Sequence, residues 1–175
     1  MRFSLVCLGL FGCSMAMAPI ETDSPVDTDD IADTEAPGEV VLNELLASND
    51  AMNTDEYGEF DDWFELYNPG SEAIDLEGWT IADSETVFEV PGPLSVPAGG
   101  FLVVWCDGSP DQGVAHVDFK LSGDGDRVLI TDPDGTVVVD ETFGAQETDV
   151  SYGRSEDGGG DWVTFTSPTP GASNG

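Results

Sequence analysis

Six carboxylates crowd the segment from position 50 to 62: Asp50, Asp55, Glu56, Glu59, Asp61 and Asp62, with Gly58 among them. Ca²⁺ takes six to eight oxygen ligands from carboxylates and carbonyls, and a glycine permits the tight loop that gathers them, so these are the residue types of a Ca²⁺ site. Their spacing fits no EF-hand. The competing reading is a run of solvated loop acids on a surface that is acidic everywhere, and Ca²⁺ is the one cofactor the sequence raises.

Glu44 and Glu65 offer a second chemistry. Glu44 shares strand parity with Val40, Leu42 and Leu46 and is expected to point inward, while Glu65 shares a face with Trp63 and Tyr67. A buried carboxylate needs a partner, and after position 38 the only Lys and Arg are Lys120, Arg127 and Arg154. Arg154 is therefore expected to bridge Glu44, Asp62 or Glu65 as a structural ion pair. The enzymatic alternative makes Glu44 and Glu65 a carboxylate pair, giving a small carboxylate- or Ca²⁺-dependent hydrolase. His116 is the only histidine. No Gly-x-Ser-x-Gly elbow accompanies it, and one His with one free Cys cannot build a zinc site, so it reads as a strand-edge residue ahead of Val117. Cys106 reads as a small buried strand residue.

The elements that must position these groups are strands. Residues 39–46, 63–68, 73–81, 101–105, 127–131, 136–141, 150–154 and 162–165 are short and rich in β-branched and aromatic side chains. Turn signals separate them, among them Asn68-Pro69-Gly70, Ala98-Gly99-Gly100 and Asp132-Pro133-Asp134-Gly135, the last a hairpin turn. No stretch sustains a 3.6-residue period, so the expectation is an all-β antiparallel sandwich or barrel, with Trp63, Trp79, Trp105 and Trp162 as core or half-buried sheet residues.

Several blocks in order carry a family resemblance. Val41 to Asn49 (VLNELLASN), Asp62 to Gly70 (DWFELYNPG), Ile74 to Asp83 (IDLEGWTIAD), Val96 to Val104 (VPAGGFLVV), Phe119 to Asp126 (FKLSGDGD), Ser151 to Arg154 (SYGR) and Ser167 to Asn174 (SPTPGASN) resemble the lamin tail domain in its bacterial form. The resemblance implies an immunoglobulin-like antiparallel β-sandwich and a non-enzymatic interaction module, with no second domain expected beside it here.

The N-terminal residues read as an export signal. Met1-Arg2 precedes a nine-residue apolar run, Phe3 to Phe11, followed by Gly12-Cys13-Ser14, the layout of a secretory signal peptide. Leu10-Phe11-Gly12-Cys13 resembles the lipobox of bacterial lipoproteins, which makes Cys13 a lipidated N-terminus; cleavage after Ala18 is the rival. Residues 1–18 are thus a signal peptide and 19–38, with seven acids, three prolines and no base, an acidic disordered linker. Residues 39–175 form the domain. The expected location is the bacterial envelope, as a lipoprotein of the outer membrane or cell surface, or otherwise the periplasm or the medium. Across 175 residues the formal net charge is −32. Such a surface repels nucleic acid and anionic headgroups, which leaves a protein or another envelope component as partner and the lipid anchor as the only membrane contact.

Overall fold

Runs of β-branched and aromatic residues between glycine turns become twelve strands. They are β1 (Val41–Leu46), β2 (Asp62–Tyr67), β3 (Ile74–Asp75), β4 (Thr80–Ala82), β5 (Val87–Glu89), β6 (Ser95–Val96), β7 (Phe101–Cys106), β8 (His116–Val117), β9 (Asp126–Thr131), β10 (Val137–Phe143), β11 (Ser151–Glu156) and β12 (Gly159–Phe165). The structure, a computed structural model, describes residues 39–175; the signal peptide, Cys13 and the acidic linker lie outside the described residues. Among the described residues there is no helix.

One sheet has six strands in the order β12-β11-β1-β2-β7-β8, a second has four in the order β10-β9-β4-β5, and β3 and β6 form a ribbon. All named pairings are antiparallel except β7 with β8. Leu42, Leu45, Phe64, Leu66, Val104 and Cys106 from the larger sheet meet Ile81, Phe88, Val128, Ile130, Val139 and Phe143 from the smaller in one core. Burying each large apolar side chain contributes about 1.5–3 kcal/mol. The fold is an all-β, immunoglobulin-like sandwich, as the strand pattern and the resemblance led us to expect. The Asp132–Gly135 turn joins β9 to β10: Asp132 N donates to Thr136 O at 2.9 Å, its Oδ1 accepts from Asp134 and Thr136, and Gly135 takes φ 86°.

Two local features differ from the strand pattern read in sequence. The single strand expected over 73–81 is broken into β3 and β4 by a turn in which Trp79 N donates to Leu76 O at 3.0 Å and Gly78 adopts φ 78°. In β1 the register with β2 shifts between Leu42 and Glu44. This bulge puts Asn43 and Glu44 together against Glu65, so the core side continues through Leu45 rather than Glu44. Glu44 therefore points away from the apolar core, with Leu46, which corrects the inward direction expected from simple alternation.

Candidate functional site

The outer face of the larger sheet carries the first cluster of acids. Glu44 and Glu65 are opposed across β1 and β2 and are both 0% exposed, because the segment after β12 folds back over them. Glu44 accepts hydrogen bonds from the Ser151 hydroxyl, from Thr169 N at 3.1 Å and from Thr169 Oγ1 at 2.8 Å. Glu65 accepts from Asn43 Nδ2 at 3.0 Å and from Gly171 N. Asn174 locks the segment down, its Nδ2 donating to Arg154 O at 2.8 Å and Asn43 O at 3.2 Å, its N donating to Asp157 Oδ1 at 2.9 Å. Gly153 must be glycine here: a Cβ would lie 2.9 Å from Asn43 O and 3.0 Å from Glu44 Cγ. Burial pushes the Glu65 carboxyl up to about 7, against the pull of the Asn43 and Gly171 donors.

Arg154 does not serve these glutamates, nor Asp62. The β1–β11 register pairs Glu44 with Gly153, so the next residue, Arg154, projects from the opposite face. Its guanidinium lies 4.4 Å from the Trp162 ring centroid and its Nη2 3.6 Å from Glu141 Oε2 on β10. The expected bridge is thus replaced by neutral donors from backbone, hydroxyl and amide groups.

The second cluster sits where β2 begins and β7 ends. The register pairs Asp62 with Cys106; carried one residue further, it sets Asp61 across from Asp107. Asp55 joins them from the β1–β2 loop, where its Oδ1 accepts from Tyr57 N and Glu59 N, both at 2.9 Å. Asp55, Asp61 and Asp107 each bring one carboxylate oxygen within 4.8 Å of the others. Asp55 and Asp107 are each 6% exposed. Asp61 is raised above the usual carboxylate range by burial and by Asp107 and Asp55, which outweigh the opposing Lys120; the Lys120 Nζ stands 3.8 Å from its Oδ1.

His116, on β8 and 1% exposed, faces this cluster. Its Nδ1 is 2.6 Å from Asp107 Oδ2 and its Nε2 3.3 Å from Glu56 Oε1, with Trp105 stacked on the ring at 6.5 Å. A carboxylate at each nitrogen favours the doubly protonated ring over either neutral tautomer. Burial lowers its pKa, but the bonds to Asp107 and Glu56 outweigh burial and raise it. The Asp107–His116 pair has the first two members of a hydrolytic triad and a carboxylate in the place of a nucleophile.

Of the six acids expected to share one loop site, Asp55 and Asp61 converge, and Glu56 joins through His116. Asp50 is exposed, with its N donating to Asp149 Oδ1 at 2.8 Å. Glu59 accepts from Gln112 Nε2 at 2.8 Å, and Asp62 accepts from Asn49 N at 3.0 Å. Burial lifts Asp62 to about 6, despite that bond and Lys120. Asp107 and His116 are the members sequence reasoning missed; the signal for Asp107 was its place just beyond a strand that pairs with the start of β2. Cys106 is buried and its thiol is pushed up, by burial first and then by Asp62 and Asp107, so it is a packing residue.

No curated protein matches this chain. The family model described as Lamin Tail Domain matches residues 33–145, which includes β1 to β10 and the whole Asp55–Asp61–Asp107–His116 cluster, whereas β11, β12 and the segment that covers Glu44 and Glu65 follow the matched span. With the order of blocks, the two-sheet sandwich and this match over more than half of its length, the chain belongs to the lamin tail domain family.

Proposed function

We propose that this protein is an exported, lipid-anchored, non-catalytic binding or scaffolding module of a bacterial envelope. Its partner is a protein or another envelope component, not nucleic acid. The observation that carries the reading is the sealing of Glu44 and Glu65. Both side chains are 0% exposed beneath Thr169 and Gly171, and a general acid and base must reach the substrate's protons to act. Membership of a family of immunoglobulin-like interaction domains favours the same conclusion. A route to a partner is the outer edge of the larger sheet. There β12 presents seven residues with Asp161 as their sole charge and Val163 36% exposed, and an open edge accepts an added strand.

The test joins anchorage to binding. In a bacterial host, labelled palmitate is expected to enter the full chain and not its Cys13→Ala variant, and the lipidated chain is expected to capture an envelope component that the Val163→Lys variant loses, because an edge lysine opposes strand addition. Absence of label removes the lipoprotein reading, and capture indifferent to Val163→Lys removes the edge.

A further inference from the structure

The acids at the β2–β7 strand ends lack something that the glutamates possess. Asp55 Oδ2 and Asp61 Oδ2 are buried and have no hydrogen-bond donor. Gln112 is held to the same loop by Tyr57 Oη donating to its backbone oxygen at 2.8 Å and by its Nε2 donating to Glu59, and it too keeps a buried Oε1 without a donor. Buried acceptors in native proteins are nearly always satisfied, so each exception needs a reason. The same place gathers the four carboxylates of Asp55, Glu56, Asp61 and Asp107, with the Lys120 ammonium standing off at 3.8 Å from Asp61. Donorless oxygens on converging carboxylates describe the environment of a divalent cation.

We infer that Asp55, Asp61 and Asp107 form a Ca²⁺ site. The ligand set is all oxygen, which selects a hard cation. Asp107 is oriented as a ligand would be, its Oδ1 accepting from Ser109 N at 2.7 Å and its Oδ2 from His116 Nδ1, the outer-shell arrangement that fixes ligating carboxylates. His116 is a positioning residue, since its Nδ1 lies 2.6 Å from Asp107 Oδ2 and its Nε2 3.3 Å from Glu56 Oε1. Three protein carboxylates leave room for waters, which suits the six to eight ligands of Ca²⁺ better than a closed cage. The inference goes beyond the binding role proposed above and does not depend on it.

The experiment is a calorimetric titration and thermal melt of the chelator-treated full chain with CaCl₂ at constant ionic strength. One Ca²⁺ per chain with a Kd in the range of about 10⁻⁵ to 10⁻³ M, and a melting temperature raised by several degrees, are expected. Asp55→Asn, which keeps the Oδ1 acceptor for Tyr57 and Glu59, and Asp61→Asn are expected to weaken binding at least about tenfold, the loss of roughly 1.4 kcal/mol; Asp50→Asn is expected to leave it within about twofold. Without Ca²⁺, Asp61→Asn is expected to melt no lower than wild type, which separates loss of the site from loss of the fold. No Ca²⁺-dependent shift overturns the inference. So does an equal response to Mg²⁺, a shift that survives both substitutions, or a stronger Zn²⁺ response that disappears in His116→Gln.

Discussion

The glutamates beneath the C-terminal segment and the aspartates at the β2–β7 strand ends are withdrawn from water, Glu44 and Glu65 to 0% exposure, Asp55 and Asp107 to 6% and the Asp61 side chain to 14%, yet their neighbours differ in kind. Around Glu44 and Glu65 every oxygen finds donors, from Ser151, Thr169, Asn43 and Gly171. Around Asp55 and Asp61 one oxygen of each finds none. A buried carboxylate is stabilised by whatever supplies positive potential, and neutral N–H and O–H dipoles supply it where they converge, although at Glu65 burial still outweighs them. Where they do, the acids serve as clasps for a chain segment. Where they do not, the acids keep unmet acceptors, the basis of the Ca²⁺ site proposed above. Burial alone does not separate the two groups; the census of donors does.

The largest effect should come from stripping the donors of the first group. Ending the chain after Thr166 removes Thr169 and Gly171, and with them three of the five hydrogen-bonding groups on Glu44 and Glu65. The truncation also opens both carboxylates to water, so the loss is that of the segment's hydrogen bonds, each to a charged group contributing about 1.5–3 kcal/mol, and urea unfolding should show a loss of several kcal/mol or a chain that does not fold. A truncated domain that unfolds with the wild-type midpoint would mean that the segment is a passive cover, and the contrast between the two groups would fall.

Part of this contrast was legible in the sequence and part was not. The long strands β1, β2, β7 and β9 to β12 announce themselves by runs such as Phe101 to Cys106, because β-branched and aromatic side chains suit a pleated surface. The pieces Val87–Glu89, Ser95–Val96 and His116–Val117 do not, since two or three residues are too few to show a period of two. The face of Glu44 was inverted by a bulge between Leu42 and Glu44, an extra residue that nothing in the local sequence marks. The acidic loop was visible as composition, but its convergence with Asp107 depends on the β2–β7 register, a long-range fact. The expectation for Arg154 failed on the same ground, because its face follows from the pairing of Gly153 with Glu44. Local chemistry is written in the sequence; which groups meet is written in the pairing.

A second test turns on charge rather than on chain. Glu65 titrates near 7 in the folded protein, because burial, with Glu44 and Asp157 nearby, outweighs its donors, against 4.5 as its ordinary value. Between those values the folded state holds a proton that the unfolded state has released, so stability falls as pH rises and the loss is complete above about 7. Glu65→Gln imitates the protonated side chain. Relative to wild type it should be neutral near pH 5 and more stable near pH 8 by on the order of 2–3 kcal/mol. Parallel pH profiles of the two urea midpoints would show that Glu65 is ionised without penalty, making the first group as well compensated electrostatically as it is by hydrogen bonds.

The smallest expected effect concerns the base that neither group recruits. If neutral donors hold Glu44 and Glu65, then Arg154→Ala should leave the pH profile of stability between 5 and 8 unchanged. It should cost about 0.5–1 kcal/mol through the lost contact with the Trp162 face; the Glu141 partner, 3.6 Å away and about a quarter exposed, adds little. A steeper pH profile in the variant would show that the guanidinium field reaches the buried glutamates through the sheet. In that case the two groups would differ in degree of compensation and not in its source, since both would then draw on a cation, Arg154 across the sheet for the glutamates and Lys120 at 3.8 Å for Asp61.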